Sequence, residues 1–269
     1  MLNESWPDGV AVVTGAARGI GEACARALVE GGCKELLLCD INGEMLEDTA
    51  QQLHNLGAKI DTLAGDVTAP DFMDRIIEKC GPRPVSAAVH AAGVAPRMVD
   101  AARVLEINLD SSIAFAQALK PRMAKGGAMV VIASNTSYFP VDEDLKEIFE
   151  QALPPEGTAA YADRVADGFT AYKLSKRGVR ALAKREAVSF GEQGARIVSV
   201  SPGLIDTVMT EDRTTDLVQK MLNEAAINRV ADTAELAAVV AFLLSPKASF
   251  MTGCDVLVDG GEVAGMGYT

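Results

Sequence analysis

The sequence predicts an α/β fold in which helices cover both faces of a doubly wound parallel sheet of about seven strands. Short runs rich in β-branched residues alternate along the 269 residues with longer stretches of helical periodicity. The short runs are apolar at nearly every position, as in strands that are buried on both faces of a sheet. Apolar residues make up 49% of the chain, which is enough for one large core, so we expect a single domain over residues 1–269.

The predicted strands and helices alternate along the chain. The clear strands are residues 10–14, 35–39, 85–92, 128–134, 195–201 and 254–260, and a weaker one is 58–67. Helical periodicity covers residues 19–31, 43–56, 99–124, 173–192 and 232–244. Strand and helix repeated in this way indicate a parallel sheet covered by helices on both faces.

One segment interrupts this alternation. Residues 138–170 stand where a short connection from a strand to a helix is expected, and they are too many for one. They predict a helical insert. Its first helix places apolar residues on one face, namely Leu145, Ile148, Phe149, Ala152 and Leu153.

Composition excludes several classes of function. The formal net charge of −12 argues against nucleic acid or an anionic membrane as a partner. No apolar run is long enough to span a membrane, and the first residues do not resemble a signal peptide. Five scattered cysteines without a CxxC or Cys/His cluster predict reduced thiols in a cytoplasmic protein and no metal site.

A glycine-rich turn follows the first predicted strand. Gly15, Gly19 and Gly21 lie where that strand passes into the first helix. Glycine there allows a tight turn and a close approach of the backbone to a pyrophosphate, while the helix N-terminus offers N–H groups to it. The placement indicates a nucleotide site, with a plain turn as the alternative.

Two acidic residues extend this site. Asp40 ends the second strand, where a carboxylate accepts hydrogen bonds from ribose hydroxyls and repels a 2′-phosphate, so NAD is favoured over NADP. Arg18 favours the opposite choice, because a guanidinium can pair with a 2′-phosphate. Asp66 ends the third strand, where it either meets the adenine edge or caps the next helix.

A tyrosine and a lysine stand one helical turn apart at Tyr172 and Lys176, so both side chains lie on the same face. A neighbouring cation favours the phenolate and lowers the pKa of the tyrosine. The pair is therefore a candidate for acid/base chemistry, although the spacing alone could arise by chance on a solvated helix.

Several further motifs follow one another along the chain. They are "HAAG" (90–93), "LEIN" ending at Asn108, "VVIAS" ending at Ser134, "SPGLIDT" (201–207) and "TGCDVLVDGG" (252–261). Together with the glycine turn and the Tyr172–Lys176 pair, they resemble the short-chain dehydrogenase/reductase family of NAD(P)-dependent oxidoreductases over essentially the whole chain. The resemblance implies a Rossmann-type fold.

The resemblance also implies residue roles. Tyr172 would be the general acid/base, Lys176 would also bind the nicotinamide ribose, and Ser134 would hold the substrate oxygen, with Ser137 as its rival. Asn108 would position a water that links Lys176 to solvent, and Thr207 would contact the nicotinamide carboxamide. Further cofactor contacts are expected from Ile20, Val67, Ala92, Gly93, Pro202, Gly203 and Ile205.

Two features depart from the family's pattern. His90 replaces the asparagine that usually opens the motif, and in a buried strand we expect it to be a core histidine. The separation of Ser134 and Tyr172 is unusually long because of the insert. A helical insert at this position is similar to bacterial 3α-hydroxysteroid dehydrogenase/carbonyl reductase, a subgroup of the family.

The function expected from these observations is NAD-dependent interconversion of a secondary alcohol and a ketone, with a hydroxysteroid or another carbonyl compound as substrate. The alternatives are an NADPH-dependent 3-oxoacyl-type reductase and a non-catalytic protein that senses NAD(H). Residues 208–228 are expected to form the lid over the substrate. The resemblance also implies a homodimer or homotetramer.

Overall fold

The computed structural model describes residues 6–151, 157–165, 167–208 and 216–268. Its strands are β1 (Val10–Thr14), β2 (Glu35–Asp40), β3 (Lys59–Ala64), β4 (Val85–His90), β5 (Met123–Ile132), β6 (Arg196–Pro202) and β7 (Asp255–Val258). They form one sheet in the order β3-β2-β1-β4-β5-β6-β7. Every neighbouring pair is parallel, which confirms the predicted architecture.

The α-helices of the described residues are α1 (Gly19–Glu30), α2 (Gly43–His54), α3 (Phe72–Cys80), α4 (Ala101–Leu105), α5 (Ser111–Leu119), α6 (Glu143–Glu150), α7 (Gly168–Glu192), α8 (Asp216–Glu224), α9 (Thr233–Leu244) and α10 (Glu262–Gly265). Short 3₁₀ helices cover Lys120–Arg122, Asn135–Tyr138, Gly157–Arg164 and Pro246–Ala248, and a π-helical turn covers Glu106–Asp110.

The strands are apolar at successive positions because both faces of the sheet are covered. In β1, Val12 belongs to the core on one face and Val13 to the core on the other. Helices α3, α5 and α7 pack on the first face, and α1, α2 and α9 pack on the second. The side chains of a strand alternate between faces, so each core receives every second residue.

The order in which the strands are added to the sheet reverses beside β1, because β2 lies on one side of β1 and β4 lies on the other. The connections that leave these carboxyl ends diverge to opposite faces of the sheet, and a crevice opens between them. The glycine turn after β1 and the "HAAG" motif after β4 therefore lie at the same edge of the sheet.

Several predicted boundaries were wrong, and two of them are instructive. The helix predicted over residues 99–124 is divided into α4, the π-helical turn and α5, and it is followed by a 3₁₀ turn. The strand predicted over 128–134 begins earlier, at Met123, because Met123 pairs with Val85 before the register shifts. This part of β5 could not be recognised from the sequence, because the glycines at 126 and 127 have a low β propensity.

The insert packs on its own chain. Helix α6 buries Leu145 and Phe149 in the core that it shares with α7, and Ile148 packs against that core. On α7, the guanidinium of Arg177 pairs with Glu150 at 2.6 Å and donates to the carbonyl oxygen of Phe139 at 3.1 Å. The described apolar residues of this face are therefore covered by the chain itself.

The remaining part of the insert differs from the expectation of a second α-helix, because Gly157–Arg164 form a 3₁₀ helix. Ala152 and Leu153, which were predicted on the apolar face, lie outside the described residues. Of the predicted lid at 208–228, residues 209–215 also lie outside them, and α8 forms most of the remainder.

Candidate active site

The glycine turn needs glycine for steric reasons. Gly15 has φ of +66°, and a Cβ there would lie 2.7 Å from the backbone nitrogen of Ala92. A Cβ on Gly21 would overlap the carbonyl oxygen of Gly15. The first turn of α1 consequently lies tightly against the end of β1, and Gly19, Ile20 and Gly21 line the crevice. This is a cradle that a side chain would fill, so it fits the pyrophosphate of a dinucleotide.

Two adjoining cavities occupy the crevice. The larger, of 470 Å³, is lined by eleven of the predicted cofactor residues: Gly15, Arg18, Gly19, Ile20, Gly21, Asp40, Asp66, Val67, Ala92, Gly93 and Thr207. The smaller, of 100 Å³, is lined by Ser134, Tyr172, Lys176, Pro202, Gly203 and Ile205, and it shares Ile20, Gly93 and Thr207 with the larger. The structure thus brings the predicted nucleotide site and the predicted catalytic residues into contact.

Asp40 is held at the rim of the larger cavity by two backbone donors. Its Oδ2 accepts from the N–H of Ala17 at 3.0 Å, and its Oδ1 accepts from the N–H of Asn42 at 2.9 Å. Each carboxylate oxygen retains a lone pair, so Asp40 can still accept from ribose hydroxyls. Arg18 lies exposed on the same rim, in the turn that precedes α1.

Asp66 has partners that the sequence did not suggest. Its carboxylate pairs with the guanidinium of Arg103 on α4, and it accepts from both the N–H and the hydroxyl of Thr68. These bonds keep its pKa below the usual value against the opposing effect of burial. Asp66 does not cap α3, which begins at Phe72. Arg103 lines the cavity and was missed, because nothing in its local sequence marks it.

Ser134 and Tyr172 meet across the smaller cavity. Ser134 ends the connection from β5 and caps the 3₁₀ turn at Asn135–Tyr138, since its Oγ accepts from the N–H of Thr136 at 3.2 Å. Tyr172 lies on the second turn of α7 and lines the same small cavity as Ser134. The rival candidate, Ser137, is buried and its Oγ accepts from Arg180, so it does not take this place.

Lys176 lies beneath Tyr172. Its Nζ is 5.8 Å from the centre of the Tyr172 ring and donates to the carbonyl oxygen of Ile132 at 2.9 Å. Burial lowers the pKa of this ammonium to about 8. Because the end of β5 supplies its acceptor, the lysine is fixed between the sheet and the tyrosine.

The predicted lowering of the tyrosine pKa is not found. Burial, the larger cause, raises the pKa of Tyr172 above the usual value, and the neighbouring Ser134 side chain opposes the rise. Desolvation penalises the phenolate more strongly here than the polar serine favours it. Tyr172 is consequently a protonated phenol at neutral pH, which suits a proton donor.

Asn108 lies in the π-helical turn, where a surplus residue re-aims the backbone. Its Oδ1 accepts from the N–H of Val94 at 2.8 Å, and its Nδ2 donates to the carbonyl oxygen of Val94 at 3.0 Å. It is fully buried and fixes the loop after β4 next to Lys176. Its predicted role in holding a water stays a prediction.

His90 is the core histidine that the sequence predicts. Its Nδ1 is 2.9 Å from the hydroxyl of Thr14, and its Nε2 is 2.9 Å from the hydroxyl of Ser111. Its ring packs on Phe115 with centroids 4.9 Å apart. Burial, assisted by the charge of Lys176, lowers its pKa to about 3, so the ring is neutral.

The described part of the chain also bears on membranes and metals. Within it, no helix has the length and apolar composition that a membrane span requires. Within the same residues, no three side chains of the types that ligate metals lie close enough together to hold an ion.

Comparison with known proteins gives consistent matches. The family model described as short chain dehydrogenase matches residues 9–143, and the one described as enoyl-(acyl carrier protein) reductase matches residues 157–262. Short-chain dehydrogenase/reductase bsc3 of Alternaria brassicicola is 31% identical over 94% of this chain and 95% of its own. Cis-4-hydroxycyclohexanecarboxylate dehydrogenase of Sinomonas cyclohexanicum is 32% identical over 98% and 100%. The crystal structure of hydroxysteroid dehydrogenase from Escherichia coli superposes with a TM-score of 0.74 at 26% identity, over 94% and 95% of the two chains.

Proposed function

This chain belongs to the short-chain dehydrogenase/reductase family, and on that premise we propose that it is an NAD-dependent oxidoreductase that interconverts a secondary alcohol and a ketone. One observation carries the proposal. Tyr172 and Ser134 line one small cavity above the Lys176 ammonium, and this cavity adjoins the glycine-lined one. A proton donor and an oxygen-binding hydroxyl thus stand beside a site that fits a dinucleotide.

Ser134, Tyr172 and Lys176 have separate roles in the reaction at the substrate oxygen. When bound, the nicotinamide supplies or accepts the hydride. Ser134 donates a hydrogen bond to the carbonyl oxygen and keeps it within reach of the Tyr172 hydroxyl. Tyr172 gives its proton to that oxygen during reduction and takes it back during oxidation. The Lys176 ammonium stabilises the phenolate that remains.

The protonation states of Lys176 and Tyr172 predict how the rates of reduction and oxidation depend on pH. Lys176, with a pKa of about 8, is mostly charged at neutral pH, and Tyr172 is protonated. Reduction needs the protonated phenol and should be fast at neutral pH. Oxidation needs the phenolate, so its rate should rise with pH until Lys176 loses its charge.

Tyr172→Phe tests the assignment. We expect turnover to fall ~10²–10⁴-fold, because a general acid/base is removed, while NADH affinity is unchanged. Tyr161→Phe, in the insert, is the matched control and should retain turnover. Ketones and secondary alcohols are assayed by NADH absorbance. A Tyr172→Phe enzyme as fast as the wild type on a verified substrate would show that the assignment is wrong.

The preference for NAD rests on Asp40. A carboxylate that two backbone N–H groups hold at the cavity rim repels a 2′-phosphate. Arg18 on the same rim favours the phosphate, and it supports the second candidate, an NADPH-dependent 3-oxoacyl-type reductase.

We expect NADH to bind more tightly than NADPH in fluorescence titrations. Asp40→Asn should reduce the difference between the affinities for NADH and NADPH. Asp48→Asn removes an exposed carboxylate on α2 and should leave that difference unchanged. NADPH binding equal to or tighter than that of NADH would refute the choice.

We propose that the substrate is a largely apolar ketone. Phe139, Met221 and Val263 form a separate apolar cluster behind the 3₁₀ turn that Ser134 caps, and Tyr138 and Phe169 pack against it. Two of the similar proteins are described as dehydrogenases of a hydroxycyclohexanecarboxylate and of a hydroxysteroid. A cyclic secondary alcohol, including a hydroxysteroid, is therefore the first class to screen. We place the enzyme in the cytoplasm, as a homodimer or homotetramer.

A further inference from the structure

Two buried polar groups close to Ser134 lack partners. Glu262 opens α10 and is 1% exposed, and its Oε1 has no hydrogen-bond partner among the described residues. Asn135 is also 1% exposed, and within the same part of the chain its Nδ2 has none. Buried polar atoms without partners are rare. Here one is an acceptor and the other a donor, on side chains that neighbour each other.

Asn135 connects this pair to the catalytic serine. The Ser134 hydroxyl donates to Oδ1 of Asn135 at 3.3 Å, while its oxygen accepts from the hydroxyl of Thr136 at 3.0 Å. A hydroxyl has one proton. While that proton rests on Asn135, it is unavailable to Tyr172 or to a substrate oxygen.

The protonation of Glu262 decides which end of the amide faces Ser134. A carboxylate accepts only, so it takes the N–H of Asn135 and leaves Oδ1 towards Ser134. A carboxylic acid has a proton to donate, for which Oδ1 is the acceptor at hand. The amide then turns so that Oδ1 no longer accepts from Ser134, and the serine proton is free to point towards Tyr172 and the substrate.

We propose that Glu262 is a positioning residue that acts through Asn135 to set the direction of the Ser134 hydroxyl, and that its protonated form is the one that supports reduction. The inference rests on the proposed function, because it assigns a role within the same site. It adds a carboxyl group that neither contacts the cavity nor belongs to the motifs identified in the sequence.

The surroundings of Glu262 place this ionisation near neutrality. Burial raises its pKa to about 7, the Asp259 charge adds to the rise, and the Asn135 side chain opposes it. Across the 3₁₀ turn, the Tyr138 hydroxyl is bound to Asp255, with the Arg180 guanidinium over its ring. The charged side chains of α8, which packs against α10, are Asp216, Lys220 and Glu224.

The test compares the pH profile of kcat/KM for ketone reduction in the wild type and in Glu262→Gln. Between about pH 6 and pH 8 the wild type should fall roughly tenfold, as one group near neutrality loses its proton. Glu262→Gln keeps a donor for Oδ1 and should lose that decline. Any decline caused by Lys176 should remain in both enzymes. Glu224→Gln, an exposed carboxylate on α8, is the control and should keep the wild-type profile.

Asn135→Ala tests the route through the amide and should also lose the decline. Thermal melting and NADH affinity report whether each variant is folded. If Glu262→Gln is not folded, Glu262→Met is used in its place. A Glu262→Gln or Asn135→Ala profile that matches the wild type overturns the inference. If the wild type reduces no ketone and Tyr172→Phe makes no difference to any activity, the proposed function fails instead.

Discussion

The neutral, buried His90 makes the stability of the fold sensitive to mild acid. Its pKa falls from 6.5 to about 3 on burial. Between these values the unfolded chain binds a proton that the native state does not. Stability therefore rises with pH across this window and is lost as the pH falls below the ordinary pKa of histidine. The substitution that isolates this effect is His90→Asn, which removes the titrating ring.

The size of the effect follows from the two pKa values. Acidification from about pH 7.5 to about pH 5.5 protonates His90 in the unfolded chain alone, which costs the native state about 1.3 kcal/mol. His90→Asn should be less stable than the wild type at the higher pH, because Thr14 and Ser111 lose their shared partner. That deficit should shrink by about the same 1.3 kcal/mol at the lower pH.

Urea unfolding, followed by circular dichroism at one protein concentration, measures both differences. The chain has two histidines. His54, exposed on α2, supplies the control, and His54→Asn should differ from the wild type by the same amount at both pH values. If the deficit of His90→Asn is also the same at both, the ring titrates alike in the native and unfolded states, and the reasoning is refuted.

Two further predictions follow from the glycine turn and the insert. Gly21→Ala should weaken NADH binding at least tenfold, because its Cβ would overlap the carbonyl oxygen of Gly15. Gly191→Ala on α7, where a Cβ meets nothing within 4 Å, should bind NADH normally in the same titration. Replacing residues 140–168 with a short Gly/Ser loop should change the subunit number in light scattering, since it uncovers the face of α7 that α6 covers. An unchanged mass and unchanged substrate preference would mean that the insert is a surface elaboration.

The sequence predicted those features that depend on neighbours along the chain. The strands could be found because each is a short apolar run, and the Tyr172–Lys176 pair could be found because one helical turn sets its geometry. The glycines were informative for the same reason, since the positive φ of Gly15 and the close contact of Gly21 with Gly15 both lie within one turn.

Features that depend on distant contacts could not be found in this way. Asn108 leaves regular α-helical geometry because its side chain binds Val94, fourteen residues earlier. Arg103 reaches Asp66 across 37 positions. The pKa of Tyr172 was predicted in the wrong direction because the spacing showed the lysine but not the burial, which outweighs other effects on the phenol.

The π-helical turn at Glu106–Asp110 also joins the active site to the insert. Asn108 holds Val94 from this turn, and Asp110 at its end accepts from the N–H and hydroxyl of Thr158, at 3.1 Å and 2.8 Å. Loss of one residue would restore an ordinary helix but rotate everything beyond the deletion by about 100°. One of the two anchors would then face the wrong way. In this segment the number of residues therefore matters as much as the identities of Asn108 and Asp110.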